Sequence, residues 1–404
     1  MRVRTWTLFA ATVVVTSVCL LFAFYSQHED GVPRDTASHP VGSTRTPSDN
    51  RTIESLDAYI ESLDDISDED LADLERFRPI LVLHLFTLDK EDSISDVALQ
   101  HVGRLTELEE LKLSFTAITD NGLPSLKHLQ RLKELHLTAC ERLHGPGIQS
   151  LAGLGALEVL EIQSRSLREL SLDGLGGKFR SLETIRATGC DDLQTVRVLN
   201  VINLRELEIH TYSALQHVIL ENLWQLETLS LSSDARTLPE EFRLTGLPNL
   251  QHLTIDLPLD DSRVKQLTLM ADHLKTLVLL DPANQISDEG MDHIAKLKNL
   301  EVLVLRGDVS DDGLRALGVL AHLQELTLSD LPMTGSGLQW IIALDELEHL
   351  SLRGTRIQAS ELRKWLPKMK YLRRLDLTHT GLNETDKRLL FEDMPWLREA
   401  PVAQ

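Results

Sequence analysis

The residues in this 404-residue chain that could do chemistry are fifteen histidines, three cysteines and 62 carboxylates. Their spacing decides whether they could work together as metal ligands, nucleophiles or acid–base pairs. The chain has no H-E-x-x-H, no C-x-x-C, no glycine-rich phosphate loop and no G-x-S-x-G. His84, His136, His210, His252 and His349 each stand in a separate leucine-rich segment, and not at one common position, so the histidines alone predict a scatter of surface side chains. Asp288, Asp311 and Asp312 invite a carboxylate mechanism, yet each lies just after the serine of an Ile/Val-Ser-Asp stretch, where helix capping favours an acid. Cys140 and Cys190 each close a strand-like segment, where a small, buried, inert thiol is expected. The sequons at Asn50 and Asn383 matter only in a host that glycosylates secreted proteins. No catalytic, cofactor-binding or metal-ligating residue is predicted, and the chain is expected not to be an enzyme.

What must position these side chains is a repeat. Fourteen segments of the form L-x-x-L-x-L begin at Ile80, Leu108, Leu132, Leu157, Leu182, Leu204, Leu226, Leu250, Leu274, Leu300, Leu323, Leu347, Leu372 and Leu397, spaced 22 to 28 residues apart. A period in the twenties with apolar positions 1, 4 and 6 marks a leucine-rich repeat solenoid, an α/β fold whose coils bury their leucines only by stacking. In Leu132-Lys-Glu-Leu-His-Leu137, alternation puts Leu135 and Leu137 on one face and Glu134, His136 and Thr138 on the other. At about 4.8 Å per strand, fourteen parallel strands make a concave sheet roughly 65 Å long, polar at positions 3, 5 and 7.

Two devices return the chain on the convex side. Ile94-Ser-Asp, Ile118-Thr-Asp, Ile286-Ser-Asp and Val309-Ser-Asp each lead into apolar residues and predict a short capped helix. From about Leu167 to Leu269 alternation replaces helical spacing: Leu167–Leu172, Leu193–Val198 and Leu215–Leu220 predict convex strands. The 22-residue spacing there suits an extended return.

The Ile-Thr-Asp-x-Gly-Leu stretches, with Cys140 and Cys190 at position 9, resemble the cysteine-containing subtype of leucine-rich repeat found in F-box-type and many bacterial proteins. The resemblance covers residues 80–404 and implies a protein-binding scaffold. Position 9 also holds Thr116, Arg165, Tyr212, Asp234, Pro258 and Pro282, so no regular hydrogen-bonded ladder is expected in the middle repeats.

A net charge of −21 and 4% aromatic content argue against nucleic-acid binding, which calls for basic surface or stacking platforms. Residues 1–26 open with Arg2 and Arg4 and continue as an uncharged apolar run. They read as an uncleaved membrane anchor with a cytoplasmic N-terminus, the alternative being a cleaved secretory signal; either places the repeats outside the cytoplasm. Residues 27–52 have a flexible linker's composition, 53–79 read as an N-terminal helical cap, and Pro401 would blunt the last strand.

The expected function is a membrane-tethered binding module whose concave face holds a protein, peptide or cell-envelope polymer. The alternative is an F-box-like ubiquitin-ligase adaptor, for which residues 1–79 show no Leu-Pro-led box. The candidate docking site is where polar concave positions give way to Val278, Leu280, Val302 and Val304, flanked by Arg306. Glu206 and Glu208 are expected to set the salt dependence of binding. Two competing accounts are plain strand preference and a loop, Asp281 to Gln285, folded over the patch.

Overall fold

In the computed structural model, residues 67–86, 94–269 and 273–399 are described. The candidate anchor, the linker, cap residues 53–66 and Pro401 lie outside them. Among the described residues, fourteen strands form one parallel sheet, from Val82–Phe86 to Arg398–Glu399, each hydrogen-bonded to the strand one coil away. The register follows the repeat: Glu110 pairs with Glu134, and Leu111 with Leu135. Alternation sends Leu111 and Leu113, then Leu135 and Leu137, into a continuous core where all four are fully buried. Each such leucine contributes roughly 1.5–3 kcal/mol of transfer free energy, which no coil could gather alone. Leu71 and Leu74, from the helical turns Asp68–Leu71 and Ala72–Phe77, extend this core past the first strand.

The convex side carries both predicted devices. Helices Asp96–Val102 and Asp288–Ile294 follow the first and third Ser/Thr-Asp motifs. The other two motifs lead into 3₁₀-helices, Leu123–His128 and Gly313–Val319. The α-helices stand in repeats of 28 and 26 residues and the 3₁₀-helices in repeats of 24 and 23, as expected of a tighter helix that rises further per residue. Glu169–Asp173, Thr195–Leu199 and His217–Glu221 are the expected convex strands, and Glu241–Thr245 adds a fourth, making a parallel four-stranded sheet. That sheet stops earlier than the sequence suggested. Residues Asp261–Thr268 form an α-helix because Asp260 caps it, accepting from the Arg263 amide at 2.9 Å.

Asp96 and Asp288 stand in the first turns of their helices, as the sequence reading has them, whereas Asp120 and Asp311 precede their 3₁₀-helices. Ser95, Thr119, Ser287 and Ser310 do cap their own turns. The aspartates also reach into the next coil. Asp96 holds Thr119 by its amide and hydroxyl, both at 2.7 Å. Asp261 holds Ser287, at 2.9 and 2.6 Å, and Asp288 holds Ser310, at 2.8 and 2.6 Å. Asp311 binds the amides of Thr334, Gly335 and Gly337. The motif glycine follows from this approach: a Cβ on Gly313 would lie 2.3 Å from Asp288 Oδ1. Asp312 stands at the N-cap of Gly313–Val319 without a side-chain cap bond.

A buried polar ladder does continue through the middle repeats, contrary to the position 9 reading. Thr116 meets Cys140 Sγ at 3.3 Å, Ser164 Oγ donates to Cys140 O at 2.9 Å, Thr211 donates to Cys190 O, and Ser233 Oγ donates to Ser213 O at 2.7 Å. Ser164, Thr211 and Ser233 occupy position 8. Where position 8 takes a positive φ (Phe115 at 56°, Ala139 at 51°, Gly189 at 61°), position 9 turns inward; otherwise position 8 fills the slot. On the convex side a second ladder links Asp173, Asn200 and Asn222 through 2.9 Å bonds.

Candidate functional site

The solvent-facing side of the long sheet falls into zones set by the residues at positions 3, 5 and 7. The N-terminal zone is a lattice of opposite charges. His84 Nε2 lies 2.9 Å from Glu110 Oε1, which also receives Lys112 Nζ at 2.6 Å. His136 is held between Glu161, at 2.8 Å from Nδ1, and Glu134, at 3.2 Å from Nε2. The hydrogen bond that His136 donates to Glu161 raises the His136 pKa above its ordinary value and lowers that of Glu161. Bonds from Lys112 and then His84 hold Glu110 low.

Glu110, Glu134 and His136 place three ligand atoms within 4.8 Å of one another, a grouping the histidine columns alone did not reveal. Its signal was a carboxylate on each adjacent strand. The cluster is partly exposed, and Lys112 and Glu161 already supply its counter-charges, so its geometry is that of an ion-pair network.

Glu206 and Glu208 are less free than the sequence suggested. Arg186, one strand back, donates to both carboxylate oxygens of Glu206 at 2.9 and 3.0 Å and lies 3.5 Å from Glu208. Burial nevertheless raises the pKa of Glu208. Arg186 was missed because its role depends on cross-strand register. Thr228, Ser230, Ser232 and Thr254 then make a hydroxyl-rich zone.

The aliphatic candidates lie together. Val278 pairs directly with Val304, Val302 lies between Thr276 and Glu325, and Leu280 stands opposite Arg306. All four aliphatic residues are half-buried and Arg306 is exposed. Arg306 Nε is 3.6 Å from Asp330 on the next strand's rim. Asp281 gathers the loop that follows, accepting from the amides of Ala283 and Ile286, each at 3.0 Å, and of Gln285. Cys140 and Cys190 are buried free thiols, their pKa values pushed up by burial to about 11 and about 12. Among the described residues, no helix is long and apolar enough to cross a membrane.

One parallel strand per coil, leucines inward and a short helix or strand on the return, together define a leucine-rich repeat solenoid. A family model described as a leucine-rich repeat matches residues 105–127, about one coil. No curated protein matches the chain. Among solved structures, a leucine-rich repeat protein of Leptospira interrogans is 17% identical with a TM-score of 0.47, the match covering 86% of this chain and 99% of that one. An internalin from Listeria monocytogenes is 18% identical with a TM-score of 0.44, covering 79% of this chain and 92% of that one.

Proposed function

We propose that this chain is a non-catalytic, membrane-tethered binding module that docks a protein, peptide or cell-envelope polymer on its concave sheet. The docking centre is the Val278, Leu280, Val302 and Val304 cluster. The observation that carries this is the direct pairing of Val278 with Val304 on a face whose equivalent positions elsewhere hold charges and hydroxyls. An aliphatic cluster rimmed by Arg306, Glu325 and Asp330 suits a ligand that buries an apolar group and meets charge at its edge. The tether rests on the basic start and apolar run of residues 1–26.

Crosslinking of the full-length protein in its native cells, beside a Val278→Asp/Val304→Asp variant, tests the reading. The wild type should capture a partner that the variant loses while keeping its fold, and the protein should fractionate with membranes. Equal capture by both chains would refute the docking centre, and a cytosolic protein would refute the tether.

A further inference from the structure

The convex four-stranded sheet ends differently on its two sides. Its first strand, Glu169–Asp173, is sealed by the preceding coil. Gln149 both donates to Asp173 O, at 3.1 Å, and accepts from its amide, at 2.7 Å, while His144 O accepts from the Glu169 amide. Its last strand, Glu241–Thr245, has no such seal. The amide of Glu241 donates inward to Gln216 O, and Thr245 O accepts inward from Asn222. By the alternation of a parallel ladder, the amides and carbonyls of Phe242 and Leu244 therefore point outward. Among the described residues, nothing bonds them from that side.

What they face is a groove of about 790 Å³, with the edge strand as one wall and Ser262, Arg263 and Gln266 of the following helix, with Leu269 just past its end, as the other. Arg263 is fixed there by Asp260, at 2.7 Å from Nη1, and by Pro239 O, at 2.6 Å from Nη2. Its Nε is buried and finds no acceptor among the described residues. Leu269 is 78% exposed at the same groove. The change from strand to helix between adjacent coils creates this gap.

We propose that the groove binds an extended peptide segment, which adds to Glu241–Thr245 as a fifth convex strand. The peptide backbone would bond the outward amides and carbonyls of Phe242 and Leu244. An apolar side chain of the peptide would cover Leu269. This site lies on the opposite side of the coil from the concave cluster and does not depend on it.

The probe is a random heptapeptide library displayed on phage, panned against the full-length protein. The expected result is enrichment of a peptide whose affinity falls roughly tenfold when alternate amides are N-methylated, the intervening amides tolerating methylation. Ser262→Trp or Gln266→Trp should fill the groove and abolish binding with the melting temperature unchanged, while Val278→Asp should leave binding intact. No enrichment, a methylation profile without alternation, loss on Val278→Asp, or full binding by both folded tryptophan variants would overturn the proposal.

Discussion

Replacing Asp288 with alanine takes from Ser310 both acceptors that tie its coil to the one before, at 2.8 Å from the amide and 2.6 Å from the hydroxyl. Hydrogen bonds to a carboxylate are worth more than neutral ones, and a part-buried amide is left without its partner, so Asp288→Ala should cost about 2–4 kcal/mol. Gly313→Ala should cost about 1–3 kcal/mol for a related reason. In an open helix alanine would gain up to about 1 kcal/mol over glycine, but here the new Cβ forces the carboxylate off Ser310. With Asp288 already removed, the nearest obstacle is Val309 Cγ1, at 2.7 Å. The glycine substitution should then cost less than about 1 kcal/mol, so that the double variant falls short of the sum by roughly 1–2 kcal/mol. Equilibrium urea unfolding of the four chains by far-ultraviolet circular dichroism measures this coupling, and hydrogen exchange at the Ser310 amide localises it. Costs that add to within about 0.5 kcal/mol would show that the carboxylate and the missing Cβ do not compete for one space.

Three further outcomes follow from the same geometry. His136 is more basic in the folded chain than its ordinary 6.5, so its contribution to stability is complete below that pH and fades as pH rises through the folded value. His136→Gln should flatten the alkaline decline of the thermal midpoint above pH 6.5, and an unchanged slope would assign that decline to other groups. Cys140 and Cys190 should resist thiol reagents at pH 8 in the folded chain and react fully in denaturant. They lie two coils apart, about 10 Å, beyond the roughly 7 Å reach of a disulfide, and labelling of either folded thiol would contradict their burial. Asn222→Ala should cost about 2 kcal/mol, combining the lost Asn200 bond with an unfavourable φ of 57°, whereas Asn222→Gly should recover the backbone part alone; equal melting temperatures for the two variants would exclude a backbone contribution.

The leucine columns were fully legible, since positions 4 and 6 carry their inward direction in alternation alone, as Leu135 and Leu137 do. Three of the four convex strands were legible for the same reason, and Phe242 and Leu244 carry that signal for the fourth. The inter-coil staples were not. An aspartate after a capping serine fits its own helix end as well as the next coil's serine, and only stacking places Asp288 beside Ser310 rather than its own amides. The shift from position 9 to position 8 rests on backbone handedness, for which Phe115 and Ala139 give no sign in their side chains. The Glu110, Glu134 and His136 cluster required comparing different residue types across strands rather than one type down a column. Val278 and Val304 were legible as neighbours because the repeat itself fixes their register.

The aspartate staples also give the solenoid a direction. Each carboxylate belongs to the earlier coil and each serine or threonine it holds to the later one, as Asp96 holds Thr119 and Asp288 holds Ser310. The acceptor is therefore synthesised before the amide and hydroxyl it holds. The two termini of a stapled run are correspondingly unequal. Cutting away later coils returns an aspartate to water, whereas cutting away earlier ones returns an amide and a hydroxyl to it. The acid exposed at one end and the hydroxyl at the other are an asymmetry written into which coil carries the acid.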